Sequence, residues 1–148
     1  RPYEPLRSRM VELGRACVAA SHRNLVVLGL LWRGIAGYAR DHGARYLCGC
    51  SSINSTDPTI GASVYSELYR RHLVEPALRT RPTPGFECPL DALAPEPPSI
   101  PKLLRAYLGI GATICGPPAL DRSFGTIDFL TLVDLQALPA VVRQRLMG

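Results

Sequence analysis

The pattern of apolar and polar positions changes period several times along the chain. In "VELGRACVA", residues 11–19, the strand formers Val11, Leu13 and Val18 predict a strand. Its alternation is imperfect, and Gly14 suits a bulge or the close approach of another backbone. From Leu25 the period becomes helical: Leu25, Leu28, Gly29, Trp32, Ile35, Ala36 and Ala39 share one stripe, with Arg33, Arg40 and Asp41 off it. Ser21 is placed to cap this helix, and Gly43 after His42 to stop it. "ARYLCGCSS", residues 44–52, reads as a buried strand. Strand, short turn, helix, strand is the βαβ-like unit of an α/β fold.

"INSTDP" is a turn, in which Asp57 as N-cap and Pro58 at the first helical position start a second helix. Val64, Tyr65, Leu68, Tyr69 and Leu73 mark its apolar face. Residues 76–101 then hold eight prolines in 26 positions, which excludes a regular element. A structureless stretch of that length in a compact domain is usually functional or mobile. Pro101 opens a short helix, "KLLRAYLGIG". A strand "ATICG" (112–116), a loop "PPALDRSFG", a long strand "TIDFLTLVDL" (126–135) and a terminal helix from Pro139 complete the order. The expectation is about four strands and four helices in one domain, 1–148, with the Pro-rich connection at 76–101. A sheet that opens on residues 11–19 has a bare apolar edge there, so the natural protein is expected to have further strands before Arg1.

Composition narrows the partners. The net charge is +5, and all but Lys102 of the 17 basic residues are arginine. GC-rich codon usage is one source of such a bias, and an acidic protein, a phosphate-bearing ligand or an anionic membrane surface is the other. The arginines are scattered, with no basic run interleaved with aromatics, which argues against nucleic acid. No apolar run reaches the ~18–20 residues of a membrane span; "LVVLGLLW" ends at Arg33. The N-terminus "RPYEPLRSRM" has no apolar signal segment and does not begin with Met, which suggests a fragment or a processed product. The five cysteines form no C-x-x-C pair, so they are neither a zinc set nor a disulfide framework. Cys17, Cys48 and Cys115 lie in apolar runs and read as small core residues, in a reducing, cytoplasmic setting.

The candidate chemistry sits in "VELGRACVAASHRN", residues 11–24. A strand, a basic turn and a helix N-terminus can bind an anion, because free N–H groups and the positive end of the helix point outward there. His22 and Arg23 add charge-assisted donors, and Asn24 completes the turn. A plain helix cap with solvated basic residues is the other reading. Glu12 and Arg15, three apart in a strand, face opposite sides unless a bulge at Gly14 re-aims them. Each then needs a partner elsewhere or a ligand. A carboxylate in a partly buried strand can serve as a general base.

"VELGRACVAASHRN…LLWRGIAGYARDHGARYLCGCSSI" and "PKLLRAYLGIGATICGPPALDRSFGTIDFLTLVDL" together resemble the C-terminal half of the GNAT-like acyltransferases that include L-ornithine N-alpha-acyltransferases and hemolysin-like relatives. These are similar in fold to acyl-homoserine-lactone synthases. The resemblance covers most of the chain and is weakest in the Pro-rich segment. It implies a GNAT-like mixed sheet flanked by helices, with the N-terminal strands absent from this chain. It also implies roles. Glu12 and Arg15 match an E-x-x-R pair on the fourth strand: Glu12 would take a proton from the acceptor amine, and Arg15 would orient donor or acceptor. The strand backbone near Cys17 and Val18 would bond the donor's pantetheine arm and thioester.

One departure from the wider fold family bears on the donor. Acetyl-CoA enzymes of this fold carry V-x-P-x-x-[RQ]-x-x-G-x-[GA] here. Arg23 is in place, but Val26 and Leu28 stand where glycines would let the backbone wrap a pyrophosphate. A carrier-protein pantetheine has a single phosphate and needs less room. The expectation is therefore an N-acyltransferase that moves a fatty, 3-hydroxy or plain, acyl chain from acyl-carrier protein to the alpha-amine of an amino acid, ornithine as the best guess. The acyl-phosphopantetheine is substrate, and no metal or other cofactor is expected. A lactone-type or N-acyl amino acid synthase with another acceptor, and a non-catalytic carrier-protein or lipid-binding module, are the alternatives. Peripheral contact with an anionic membrane on its cytoplasmic face is compatible with the charge. A covalent route through Cys17 lacks a readable histidine partner.

Overall fold

The structure, a computed structural model, describes residues 2–15 and 17–147, the last by its backbone. Five strands form one mixed sheet: β1 (Met10–Glu12), β2 (Tyr46–Ile53), β3 (Thr113–Ile114), β4 (Ala119–Asp121) and β5 (Thr126–Asp134). The strand order is β1-β2-β5-β3, and β4 also pairs with β5. β1 runs parallel to β2, and the remaining pairings are antiparallel. Four α-helices accompany the sheet: α1 (Leu25–Asp41), α2 (Pro58–His72), α3 (Lys102–Ile110) and α4 (Ala140–Met147). This is the expected α/β class, a mixed open sheet flanked by helices.

Register divides the sheet into two faces. Leu47, Ser51 and Ile53 of β2 lie level with Val133, Phe129 and Ile127 of β5. This face is dry. Val64 and Leu68 of α2 and Leu104 of α3 pack on Ile127 and Phe129, while Trp32 and Ala39 of α1 pack on Leu47 and Val133. Fully buried, such side chains contribute roughly 1.5–3 kcal/mol each. The opposite face carries Tyr46, Cys48, Cys50 and Ser52. Tyr3, Leu6 and Leu78 cover only its Tyr46 end, against Leu132 and Cys115; at the other end Cys50 and Ser52 are exposed.

Local chemistry explains the helix boundaries. Asp57 Oδ1 accepts from Thr59 N–H at 2.9 Å, with Pro58 at the first helical position, as expected. α3 ends on Gly111, whose φ of 108° is left-handed. The cap of α1 is a correction: Asn24, not Ser21, holds the helix start, its Oδ1 accepting from Val27 N–H at 3.0 Å. Ser21 lies in a 3-10 turn, Ala20–His22, with Oγ 2.9 Å from its neighbour's imidazole. A second correction concerns the stripe of α1. Trp32, Ala36 and Ala39 are buried, but Leu25 is 84% exposed and Gly29 is exposed too. In its first turn only Val27 and Leu28 are partly covered, Leu28 against the cluster that Val11 and Leu13 join.

Residues 76–101 hold only a 3-10 turn, Pro76–Leu78, yet the segment is pinned along its length. Thr80 N–H donates to Cys115 O, Leu120 N–H to Phe86 O, and Ala94 N–H to Ser63 Oγ, each at 2.8 Å. The expected loop after Gly116 contains the short β4 strand, paired with β5 from Thr126 to Asp128. Arg45 and Asp134 form a fork-like ion pair beneath Tyr46, with Nη2–Oδ2 2.6 Å and Nε–Oδ1 3.0 Å.

Candidate active site

The expected strand over 11–19 is much shorter. β1 pairs with β2 from Met10 to Glu12, and its last link is Leu13 N–H to Cys48 O at 2.7 Å. Residues 13–15 and 17–19 have no regular structure; Ala16 lies outside the described residues. Two features part the chains. A Cβ on Gly49 would meet Leu13 O at 2.6 Å, so only glycine lets the β1 backbone come that close. Arg15 then takes φ 53°, the left-handed region that non-glycine residues seldom occupy. The close approach was expected at Gly14, but a Cβ there would meet nothing within 4 Å. Beyond Gly49 the outer edge of β2, from Cys50 to Ile53, has no strand partner among the described residues. Ile53 O accepts from Ser55 N–H at 2.9 Å, and the outward backbone groups from Cys50 to Ser52, without a strand partner among the described residues, are available to a ligand that lies along the edge.

Glu12 stands at this parting. It is level with Cys48 and shares a face with Met10, the sparsely covered face of the sheet. The carboxylate is exposed, at the rim of the patch that holds Cys48 and Cys50. Burial and the charge of Glu12 both push the Cys48 thiol up. Burial also raises Cys50, with Asp128 and then Glu12 adding to it. Neither thiol is thereby primed as a nucleophile. Glu12 and Arg15 form no ion pair with each other, as their spacing implied.

The donor-binding candidates divide. Cys17 and Val18 are not strand residues, which corrects the expectation that a continuous strand presents them; the left-handed turn at Arg15 has already redirected the chain. Cys17 is exposed, so it is not a core residue either. Cys115 is the buried member of the set, its thiol raised to about 11 chiefly by burial; Cys88 is buried as well, against Gly61. Val18 accepts from Arg23 Nε at 2.9 Å, which folds residues 18–23 into a compact turn ahead of α1. His22, Arg23 and Asn24 are exposed together at the start of α1. Asn24 satisfies Val27 N–H, leaving the N–H groups of the first two helical residues for solvent or an anion. Val26 is 73% exposed, and Leu28 is partly covered.

Sequence reasoning missed Asp128. It lies on β5 level with Ser52, on the same face as Glu12, and was hidden inside an apolar strand read as core. Its spacing was the available signal: in "TIDFLTLVD" the polar Thr126, Asp128 and Asp134 fall at even positions, opposite the buried Ile127, Phe129 and Val133. Among the described residues no group of His, Cys, Asp and Glu side chains is arranged to hold a metal ion.

The chain's mixed open sheet of five strands flanked by helices is consistent with a GNAT-like fold. Its sequence relatives are particular ones. It is 33% identical over 144 residues to the L-ornithine N(alpha)-acyltransferase of Rhodobacter capsulatus, covering 90% of this chain and 55% of that protein. The proteins of the same name from Brucella abortus and Rhizobium meliloti are each 28% identical, over 88% and 86% of this chain and 49% and 45% of their own lengths. The resemblance seen in the motifs therefore extends over almost the whole chain, which spans about half the length of the curated relatives it matches. No family model matches the chain, and no solved structure matches it significantly.

Proposed function

We propose that the protein is an N-acyltransferase that moves a fatty acyl chain, 3-hydroxy or plain, from acyl-carrier protein to the alpha-amine of ornithine. The observation that carries this reading is the match of nine-tenths of the chain to proteins named L-ornithine N(alpha)-acyltransferase. Glu12 at the mouth of the parted strands supports it.

In this reading the thioester lies along the open edge of β2 and the divergent residues 13–15 and 17–18, whose backbone N–H groups polarise its carbonyl. The neutral alpha-amine attacks the carbonyl carbon, forming the C–N bond. Glu12 takes the proton released from nitrogen, directly or through water. The C–S bond breaks, and the thiolate leaves to be protonated as the free pantetheine thiol. His22, Arg23 and the first N–H groups of α1 meet the pantetheine phosphate. Val26 and Leu28 leave little room for a pyrophosphate, and the +5 charge favours an acidic carrier protein. Contact with an anionic membrane fits the same charge. No described helix is long and apolar enough to cross a membrane.

The test is an acyl-transfer assay on the full-length natural protein, with ornithine and with acyl-carrier protein or acyl-CoA as competing donors. Transfer to ornithine, with the carrier-protein donor preferred and the preference weakened by salt, is expected. Absence of transfer to ornithine refutes the acceptor. Equal use of both donors, insensitive to salt, refutes the carrier protein.

A further inference from the structure

Asp128 Oδ1 is the one buried side-chain oxygen or nitrogen without a hydrogen-bond partner among the described residues. The other oxygen, Oδ2, accepts from Thr126 Oγ1 at 3.2 Å, and none of the ion pairs involves this residue. Withdrawing a carboxylate oxygen from water and leaving it idle is among the costlier things a fold can do. Nothing in the packing of β5 demands a carboxylate there. The dry face is filled by Ile127 and Phe129, and Asp128 lies on the other one, between Ser52 of β2 and Ala119 of β4.

The position relates it to the candidate site. Glu12, Cys48, Cys50, Ser52 and Asp128 share one face of the sheet. The charges of both Asp128 and Glu12 are felt at Cys50, which lies between them. Glu12 and Asp128 are two inter-strand spacings apart across the sheet and four residues apart along it, on the order of 16 Å between Cα atoms. The two side chains shorten that gap when they lean together. A diamino acid with a contact of about 3 Å at each end spans what is left.

The chemistry is complementary. The attacking alpha-amine must be neutral, and Glu12 deals with its proton. A second amine at the end of the side chain keeps its charge at neutral pH, as lysine does. Asp128 as a whole is only partly covered, so a turn about its side chain presents the unused acceptor to the open face of the sheet, where it suits that group. We propose that Asp128 binds the distal ammonium of the acceptor and so selects a diamino acid over an apolar one of the same length. This rests on the acyl-transfer reading and makes Asp128 a specificity residue for it.

Titration calorimetry on the full-length natural protein tests the proposal, with ornithine and with 2-aminopentanoic acid, which has the same carbon chain without the distal amine. Wild type should bind ornithine at least about tenfold more tightly, the usual worth of a charged hydrogen bond. In Asp128→Asn that ratio should fall to about one, with 2-aminopentanoic acid binding unchanged. A ratio retained in the Asn variant, or absent in wild type, overturns the proposal. If the Asn variant does not fold, Asp128→Glu moves the carboxylate by one methylene and should shift the preference toward 2,4-diaminobutyric acid; an unchanged order of acceptors overturns it. Parallel acyl-transfer assays separate the two readings. A protein that discriminates through Asp128 but transfers nothing to ornithine keeps the amine site and loses the reaction.

Discussion

At the scale of single residues, Glu12 and Cys17 lie in unlike surroundings. Both lie in the same nine-residue run, yet the left-handed turn at Arg15 separates a carboxylate fixed on a paired strand from a cysteine on an exposed, irregular one. Glu12→Gln removes the proposed proton acceptor and keeps the shape. It should lower acyl transfer by about 100-fold or more with an unchanged melting temperature. Near-normal turnover in a single-turnover assay would take Glu12 out of the mechanism. The apolar run around Cys17 suggested a core residue, whose truncation would cost stability; its exposure says otherwise. Cys17→Ala should leave both stability and turnover within experimental error, as an exposed substitution does. Loss of turnover in a folded Cys17→Ala protein would bring back covalent catalysis.

At the scale of elements, what was legible was local. Asp57-Pro58 and the glycine after "KLLRAYLGI" carry their geometry within a few residues, so α2 and α3 begin and end where their sequences say. What was not legible depends on a second chain segment. The β1 strand ends early because Leu13 meets Gly49, 36 positions away, and only the fold brings the two together. Of the candidate site, the glutamate and the basic turn could be read from a motif, whereas Asp128 needed the register of β5 against β2 to place it on the same face. Gly49→Ala therefore tests an element rather than a residue. The added methyl must push the Leu13 carbonyl away, costing about 1–3 kcal/mol as overpacking does, with β1 displaced; a change below about 0.5 kcal/mol in denaturant unfolding would show that β1 yields freely.

A second element-scale prediction concerns acid. Burial alone would raise the Asp134 carboxyl, but its hydrogen bonds to Arg45 and to the backbone of Gln136 and Ala137 outweigh that and hold it below the ordinary carboxylate range. A group whose folded value is depressed adds stability that is complete above its unfolded value, about 3.9, and is lost as pH falls through the folded one. The wild-type melting temperature should thus drop more steeply below about pH 4 than that of Asp134→Asn. A third of the Arg45 side chain remains in water, so the difference should be modest and shrink with salt. Identical acid limbs for the two proteins would contradict the pairing.

At the scale of the whole molecule, the two flanks of the sheet are unequal. On the β5 side, helices and the pinned Pro-rich segment enclose a continuous core. On the β1 side, the edge strand has one partner among the described residues, and apolar residues at the start of α1 face water: Leu25, Val26 and Leu30 are all more than half exposed. Val11, Leu13, Val27 and Ile35 line an apolar groove of about 450 Å³ between β1 and that helix. An unpaired strand edge beside an exposed apolar helix is a template for pairing with another chain, and a net charge of +5 offers only moderate repulsion against it. The 148-residue chain alone should therefore self-associate, with an average mass in light scattering that rises with protein concentration. Association should persist or strengthen in high salt, because the surfaces are apolar and the repulsion is screened. Leu25→Glu combined with Leu30→Glu should shift the distribution toward monomer without lowering the melting temperature, since neither side chain is part of the core. A chain that stays monomeric over a wide concentration range, in low and high salt alike, would mean that the β1 edge and the exposed face of α1 do not attract a partner of their own kind.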